Sequence, residues 1–570
     1  MPSHDPAAPG RRLRRRVQAN AVETVMGLPR TSKDHEVARD LEVPMPDGTR
    51  LLGDLHRPVD ATGPMPVVLV RLPYGRAGTA GLLFGTTLAR RGLQVFIQST
   101  RGTFGSGGQF RPFATEHEDG MATLAWVREQ AWCDGRVAMT GGSYFGHTQW
   151  AIAPYADPPL ECFSPHITAA RITSVFYDHG APGLTNALTW ASQVGRQERR
   201  SPLAPLMAPV ERTHLRRVAD RLPLRAADVA VAGGPVAFWR DFVDHAAPGD
   251  TFWDHADHST VDMARLPPAN MVTGWWDVFL PGQLDDYRRL REAGNPARLV
   301  VGPWLHGEPG ELRALLASEV AWLDHHLRGG PAPAGPPVKV FLQQADTWLE
   351  MDHWPPPDRT RVTHHLHGDG TLAVDPPPAS GSVTATEGTT RLVYDPADPT
   401  PSIGGPLLQG PGKQADNRDV EKRPDVAVFT GAPLDSDVDV VGQVSARVHL
   451  RIAGSHADVF VRLCDVAPDG TSSNVVDGIR RLHPDTVPAD DVSVLADGSL
   501  VVEVELYPTA YRFRAGHRFR VQVSGGAFPR FARNLGTDDP LASGRGGSPY
   551  AIEIVHDPSD PSTISVDQLR

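Results

Sequence analysis

RVAMTGGSYFGHTQW, residues 136–150, decides how the rest of this 570-residue sequence is read. Its first residues form a short β-prone run, its last an apolar helical start, and between them stand Gly141, Gly142, Ser143, Tyr144, Phe145 and Gly146. A serine at so sharp a strand-to-helix turn has its hydroxyl held out of the sheet, and small neighbours relieve the crowding that the turn creates. The spacing departs from G-x-S-x-G at one place, because Phe145 stands at the second glycine and Gly146 follows one residue later. Ser143 is a candidate nucleophile, with a glycine-flanked loop serine as the plain alternative.

Outward from this turn the text alternates. Residues 66–73 (PVVLVRLP) and 93–99 (LQVFIQS) read as short buried strands, and residues 116–130 carry Met121, Leu124, Ala125 and Val127 at helical spacing. Further on, residues 269–274 (ANMVTG) and 297–302 (ARLVVG) are strands, each followed by a helical pattern, over residues 282–292 and 310–327. Strands separated by helices predict parallel pairing with crossover helices, the α/β class. Between residues 158 and 262 the alternation stops and helical, aromatic-dotted text takes over, as in residues 185–196 and 236–242. The Pro/Gly run at residues 329–337 (GGPAPAGPP) marks a linker. Beyond it, short strands at residues 338–343, 445–452, 458–466, 500–506 and 517–524 alternate with Asp-Gly turns, which predicts a β-sandwich or jelly roll. The expected division is a split α/β domain over residues 1–157 and 263–330, a helical cap over 158–262 and a jelly roll over 338–570.

A serine hydroxyl is a weak nucleophile and needs a base, and the base needs something to fix it. On folds that carry serine at a strand-to-helix elbow, the acid and the histidine follow in that order on loops after later strands. Asp277 lies just past ANMVTG and His306 just past ARLVVG. Each has a plain reading too: Asp277 as a helix cap, His306 as a loop histidine.

The formal charge of -11 and a charged fraction of 22% point away from nucleic acid or anionic membrane and toward a small organic substrate. The basic run at residues 11–16 lacks a following apolar stretch, so a solvated, frayed start is expected there. No run approaches the length of a membrane span, and the three cysteines have no metal-type or disulfide spacing, so a cytoplasmic setting is the default expectation. No metal or cofactor is expected: His364, His365 and His367 fall in a strand entering a turn, His255 and His258 in loop text, and the glycines of residues 102–108 lack a nucleotide fingerprint.

At the three loops the chain resembles the CocE/NonD hydrolases, the cocaine esterase and Xaa-Pro dipeptidyl-peptidase family. The blocks that carry this are PDGTRLLGDLHRP (46–58), VRLPYGR (70–76), STRGTFGSGGQF (99–110), WCDGRVAMTGGSYFGHTQW (132–150), GWWDVF (274–279), GPWLHG (302–307), DNRDVEKRPDVAVFTGAPL (416–434) and FRAGHRFRVQVSGGAFPRFARN (513–534). The resemblance implies an α/β-hydrolase core, a helical cap and a C-terminal jelly roll. It also implies Ser143, Asp277 and His306 as the triad, with the Tyr74 hydroxyl and the Tyr144 backbone N–H as the oxyanion hole. Trp275, Trp276, Phe279 and Trp190 are candidates to line the substrate pocket, and residues 528–534 (FPRFARN) are expected to pack against the hydrolase domain.

Two departures qualify the resemblance. Ser99 replaces the aspartate that relatives often carry before the glycine loop. Asp277 is followed by Val278, Phe279 and Leu280 rather than by the acids that hold a substrate ammonium, and Asp285 and Asp286 lie too far along the helix to replace them. An ester substrate is therefore expected ahead of a peptide with a free amine. Acyl transfer, amide or dipeptidyl-peptidase cleavage, and a non-catalytic binding role stay open, as does a homo-oligomer.

Overall fold

The computed structural model describes residues 9–199, 204–377 and 388–570, and they divide into two compact units. The first comprises Met1–Ile172, Asp254–Gly274 and Gly282–Lys339. Its strands are β1 (His35–Pro44), β2 (Arg50–Pro58), β3 (Met65–Leu72), β4 (Gln94–Ser99), β5 (Cys133–Gly142), β6 (Phe163–His166), β7 (Ala269–Trp276, its last two residues in the second unit) and β8 (Ala297–Leu305). They lie side by side in the order β1-β2-β4-β3-β5-β6-β7-β8. The pairs β3/β4, β3/β5, β5/β6 and β6/β7 are parallel, while β1/β2 and β2/β4 are antiparallel.

The helices of this unit are α1 (Pro9–Val25), α2 (Glu116–Arg128), α3 (Tyr144–Trp150), α4 (Leu280–Glu292, beginning in the second unit) and α5 (Pro309–Arg328). Val68, Val70 and Leu72 of β3 and Val95 and Ile97 of β4 alternate onto one face and pack with Leu315, Leu316, Leu323 and Leu327 of α5. Both faces of β4 and β7 are buried throughout, which is why they read as continuous runs rather than as an apolar–polar alternation. Helix α1 replaces the frayed start expected of the basic run. Ala19 and Glu23, one turn apart, are 3% and 1% exposed, and Glu23 pairs with Arg90 and Arg91. Residues 1–8, and the side chains before Arg16, lie outside those described.

The second unit comprises Thr173–Trp253, Trp275–Pro281 and Val340–Arg570. Its β part is an antiparallel-rich sandwich built on long strands that include β9 (Val438–Ile452), β10 (Ala457–Val466), β11 (Ser472–Leu482), β12 (Leu500–Phe513) and β13 (Arg518–Ser524). Gly370, Gly470 and Gly498 turn the chain with φ of 82°, 87° and 81°, and each preceding aspartate accepts the N–H two residues on. Val459, Val461 and Leu463 of β10 enter the sandwich core. The alternate residue Phe460 joins Ile479, Ala181, Ala527 and Phe531 instead.

The FPRFARN block therefore packs onto the helical segment of its own unit. The N–H of Thr185 donates to Arg530 O (3.3 Å), its hydroxyl to Pro529 O (2.7 Å), and the N–H of Ala532 to Pro182 O (2.8 Å). Arg530 is buried against Asp477, which also pairs with Arg462. No helix among the described residues is long and apolar enough to cross a membrane.

Candidate active site

Strand β5 delivers the chain to Ser143 at φ 59° and ψ -123°. A residue with a side chain adopts such a conformation at a cost of about 1–3 kcal/mol, and holds it only where its surroundings over-determine it. Here the Ser143 N–H donates to His166 O (3.0 Å) and Ile167 O (3.2 Å), while α3 begins at the next residue. A Cβ on Gly146 would lie 2.3 Å from Thr168 Cγ2, so the glycine that lets helix and strand approach is Gly146. Phe145, at the expected glycine position, turns its ring toward Phe84 and Tyr74, at 6.0 and 5.8 Å between centroids.

The segment under Ser143 is itself fixed. Asp286 Oδ2 accepts the Ala170 N–H at 2.7 Å and Gln283 Oε1 accepts that of Thr168 at 3.1 Å, both from α4. His166 is fully buried. Its Nδ1 accepts the Val272 N–H at 3.1 Å, leaving Nε2 to donate to Glu319 at 3.0 Å. Sequence gave no sign of the His166–Glu319 pair, since nothing but the sheet order brings the two together.

His306 Nε2 lies 3.1 Å from Ser143 Oγ. Its turn follows β8 directly and is tied by two carboxylates: Glu308 accepts the Leu305 N–H at 3.1 Å, and buried Glu311 accepts the Gly307 N–H at 2.6 Å. Strands β7 and β8 approach closely at their ends, since a Cβ on Gly274 would lie 2.2 Å from Trp304 O. Asp277 stands three residues beyond Gly274 and is fully buried, with Oδ1 accepting the Phe279 N–H at 2.8 Å.

Tyr74 follows β3 and is half-buried, its ring edge-on to Tyr144 at 6.4 Å. Arg76 anchors its loop, donating to Phe104 O (2.6 Å), Asp54 (3.0 Å) and Ser99 Oγ (3.3 Å), and pairing with Asp40. The carboxylates around this guanidinium thus come from Asp40 and Asp54, and Ser99 offers it only a hydroxyl.

The Tyr144 side chain is locked away from the surface. Its hydroxyl donates to Glu116 at 2.7 Å and accepts the Phe113 N–H at 3.0 Å, and Glu116 in turn pairs with the fully buried Arg71 at 3.0 Å. Burial pushes the Glu116 carboxyl up, opposed by Arg71. This network anchors Tyr144, the first residue of α3. The signal for it was present in PVVLVRLP, where an arginine interrupts a run otherwise fit only for burial.

The proposed pocket residues are all buried. Trp190 packs in an aromatic cluster with Phe238 (4.3 Å) and Phe176 (5.7 Å), and the Trp275 indole donates to Phe341 O at 2.6 Å beside Trp354. Trp276 and Phe279 are 4% and 3% exposed. Among the discounted histidines, His365 and His367 bond to the carbonyls of Val374 and Asp375, and the His258 ring lies 5.2 Å from that of His147, tilted by 36°, burial holding His258 down to about 4.

Asp286 carries a consequence for stability. Burial, joined by repulsion from Asp285, pushes its carboxyl up to about 7, although the Ala170 N–H opposes the shift. In the unfolded chain it ionises near 3.8, so the stability it contributes is full below that value and is lost as pH rises to about 7. Asp286→Asn keeps an acceptor for Ala170 and carries no charge. Its melting temperature should match wild type near pH 4, exceed it increasingly up to about pH 7 and stay level above, the plateau reaching up to about 4 kcal/mol. A pH-independent difference would refute this.

A parallel sheet carrying a strained serine at its elbow, with an imidazole in hydrogen-bond reach on a later loop, defines an α/β-hydrolase of the serine type. The pattern of the X-Pro dipeptidyl-peptidase (S15) family matches residues 47–308, and that of the X-Pro dipeptidyl-peptidase C-terminal non-catalytic domain matches 333–564. Cocaine esterase of Rhodococcus sp. (strain MB1 Bresler) is 33% identical over 545 residues, covering 89% of this chain and 94% of its own. Among solved structures, an α-amino acid ester hydrolase superposes with a TM-score of 0.75 at 22% identity, over 95% of this chain and 98% of its own. A CocE/NonD family hydrolase from Staphylococcus aureus gives 0.65 at 16%, over 94% of both. The chain belongs to the CocE/NonD serine hydrolases, the family of cocaine esterase and the X-Pro dipeptidyl-peptidases.

Proposed function

We propose that the protein hydrolyses carboxylic esters of small organic molecules through an acyl-enzyme on Ser143. The observation that carries this reading is the 3.1 Å approach of His306 Nε2 to Ser143 Oγ. His306 takes the serine proton as Oγ attacks the ester carbonyl, then returns it to the departing alcohol. Water resolves the acyl-enzyme by the same steps in reverse order of roles. Asp277 holds the imidazole tautomer, a role supported by its burial and its place just after β7. The Tyr74 hydroxyl and the Tyr144 N–H receive the oxyanion, supported by the packing of the Tyr74 ring against Tyr144 and Phe145. Trp276 and Phe279, which flank Asp277 in the sequence, are the pocket candidates.

Esters are favoured over peptides with a free amine because the acids that could hold an ammonium are committed elsewhere. Asp285 pairs with Arg288 at 2.6 Å, and Asp286 serves Ala170. The name of the Rhodococcus relative agrees with this choice. Labelling by a fluorophosphonate, mapped to Ser143, tests the nucleophile. Turnover of aryl and alkyl esters, compared with X-Pro amides and with esters in the presence of an added alcohol or amine acceptor, tests the reaction. Preferred amide cleavage or dominant transfer to the acceptor would replace ester hydrolysis with the rival reading.

Tyr74→Phe separates the oxyanion role from packing. The ring remains, so kcat should fall by roughly 10² to 10³ with KM within a few-fold, because the lost hydrogen bond matters once the carbonyl becomes an oxyanion. A large KM change at constant kcat would make Tyr74 a ground-state binding residue instead.

A further inference from the structure

The segment that carries Asp277, Trp275–Pro281, belongs with the β sandwich in the second unit, and strand β12 of that sandwich holds it. The reason begins in the sequence of β12, LVVEVELYPTAYRF (500–513). Side chains along a strand alternate between its faces. Val502, Val504 and Leu506 accordingly enter the sandwich core, while Glu503 and Glu505 are exposed. Further along, the core residues are Tyr511 and Phe513. Leu506 and Tyr511 share a face although an odd number of steps separates them, so the alternation slips by one residue between the two. The register shows where: Leu506 pairs with Val444 and Thr509 with Gly442, which leaves Tyr507 and Pro508 opposite Gln443 alone. This is a β-bulge, the place in a sheet that tolerates a proline and re-aims a side chain. Gln443 Nε2 donates to Leu506 O at 2.8 Å beside it.

Tyr507 therefore follows the face of Glu503 and Glu505, yet it is not exposed as they are. Its ring lies 5.7 Å from Cζ of the Arg530 guanidinium, and Arg530 is fixed by buried Asp477. Its hydroxyl donates to Val278 O at 3.2 Å. Burial pushes the phenol up, opposed by Arg530 and joined by Asp178, Asp477 and Asp277, so the hydroxyl remains a donor at neutral pH.

The acceptor gives this bond its consequence. Val278 O and the Phe279 N–H are the two ends of one peptide group, which is planar and rigid. The N–H end donates to Asp277 Oδ1 at 2.8 Å. Tyr507 thus holds the oxygen of the same peptide whose hydrogen holds the carboxylate, and a rotation of that peptide would swing the Phe279 N–H away from Asp277. Hydrogen bonds in such a chain also polarise one another. The rest of the segment is tied as well: the Trp275 indole donates to Phe341 O at 2.6 Å, and the Leu280 N–H donates to Asp277 O at 3.2 Å.

We propose that Tyr507 is a positioning residue for Asp277, orienting its carboxylate through the Val278–Phe279 peptide. The proposal rests on the triad role of Asp277 given above. It gives the β sandwich, which matches a domain pattern described as non-catalytic, a share in setting turnover without touching substrate.

The test is a double-mutant cycle on the full chain with one ester substrate, joining Tyr507→Phe to Asp277→Asn. Phenylalanine keeps the ring beside Arg530 and removes only the hydroxyl, so the variant should fold, with a melting temperature within about 2 °C of wild type. Tyr507→Phe alone should lower kcat by about tenfold and leave KM within about twofold, because orientation of the triad matters in the transition state rather than in binding. In the Asp277→Asn background the same substitution should change kcat by less than about twofold, since the carboxylate it serves is gone. A residue that only packs would leave kcat of the folded protein unchanged, and that result overturns the proposal. So does an equal loss in both backgrounds, which would show Tyr507 acting independently of Asp277. Full activity in Asp277→Asn would remove the triad role itself and the proposal with it, whereas a severe loss there beside a normal Tyr507→Phe removes the positioning role alone.

Discussion

Ser143→Ala should lower ester turnover by a factor on the order of 10⁴ or more while leaving the protein folded, because members of such a constellation act as a unit. The substitution removes only Oγ. Alanine carries the same Cβ, so the backbone at φ 59° is no more crowded than before, and the N–H bonds to His166 O and Ile167 O do not depend on the side chain. Folding loses the one hydrogen bond to His306, worth about 1 kcal/mol. The residual rate should reflect oxyanion stabilisation and binding alone. A thermal melt beside the steady-state assay checks both halves, and a variant with near-normal turnover would end the assignment of Ser143 as nucleophile.

Asp277→Asn should lower kcat by about 10⁴, with little change in stability. The replacement discriminates two roles that the same residue can fill. As a cap, Asp277 accepts the Phe279 N–H through Oδ1, and an asparagine oxygen does this equally well. As the partner of His306 it must accept an N–H and balance the imidazolium formed during attack, and a neutral amide does neither in the right tautomer. Full activity in the asparagine variant would reduce Asp277 to its cap. Loss of activity without loss of melting temperature supports the catalytic role, and removal of the side chain by alanine, which disturbs both roles, would not separate them.

Much of the fold was legible because its signals are local. The runs at residues 66–73, 93–99, 269–274 and 297–302 correspond to β3, β4, β7 and β8. Buried parallel strands must be β-prone and apolar on both faces, and that shows in sequence. Helices α2 and α5 were marked by apolar spacing, and the Asp-Gly turns by the positive φ they require. Strand β6, FSPH, was not read at all. Four residues with a central proline carry no periodicity, and only the neighbours β5 and β7 make them a strand. Strands β1 and β2 were missed as well: β1 is largely exposed, and β2 mixes charged residues among its apolar ones.

The candidate site divides in the same way. Ser143, His306, Asp277 and Tyr74 could be nominated from the sequence because each sits at a strand end, where the turn text is distinctive and the order along the chain is constrained. What supports them could not. The Arg71–Glu116–Tyr144 network, the His166–Glu319 pair and the Arg76 anchor join residues from separate strands and helices, and their only sequence trace is a polar side chain inside an apolar run. The aromatic residues of the helical segment were legible only as a composition, and the ring contacts of Trp190 with Phe176 and Phe238 were not. Sequence alone determined the class of fold and the serine at its elbow, and nominated the residues proposed to act with it, because local propensity and chain order carry that information. Tertiary structure alone decided which polar groups meet in the interior and which aromatic rings pack on one another, since a buried hydrogen bond or ring contact depends on distance in space and leaves no fixed spacing along the chain.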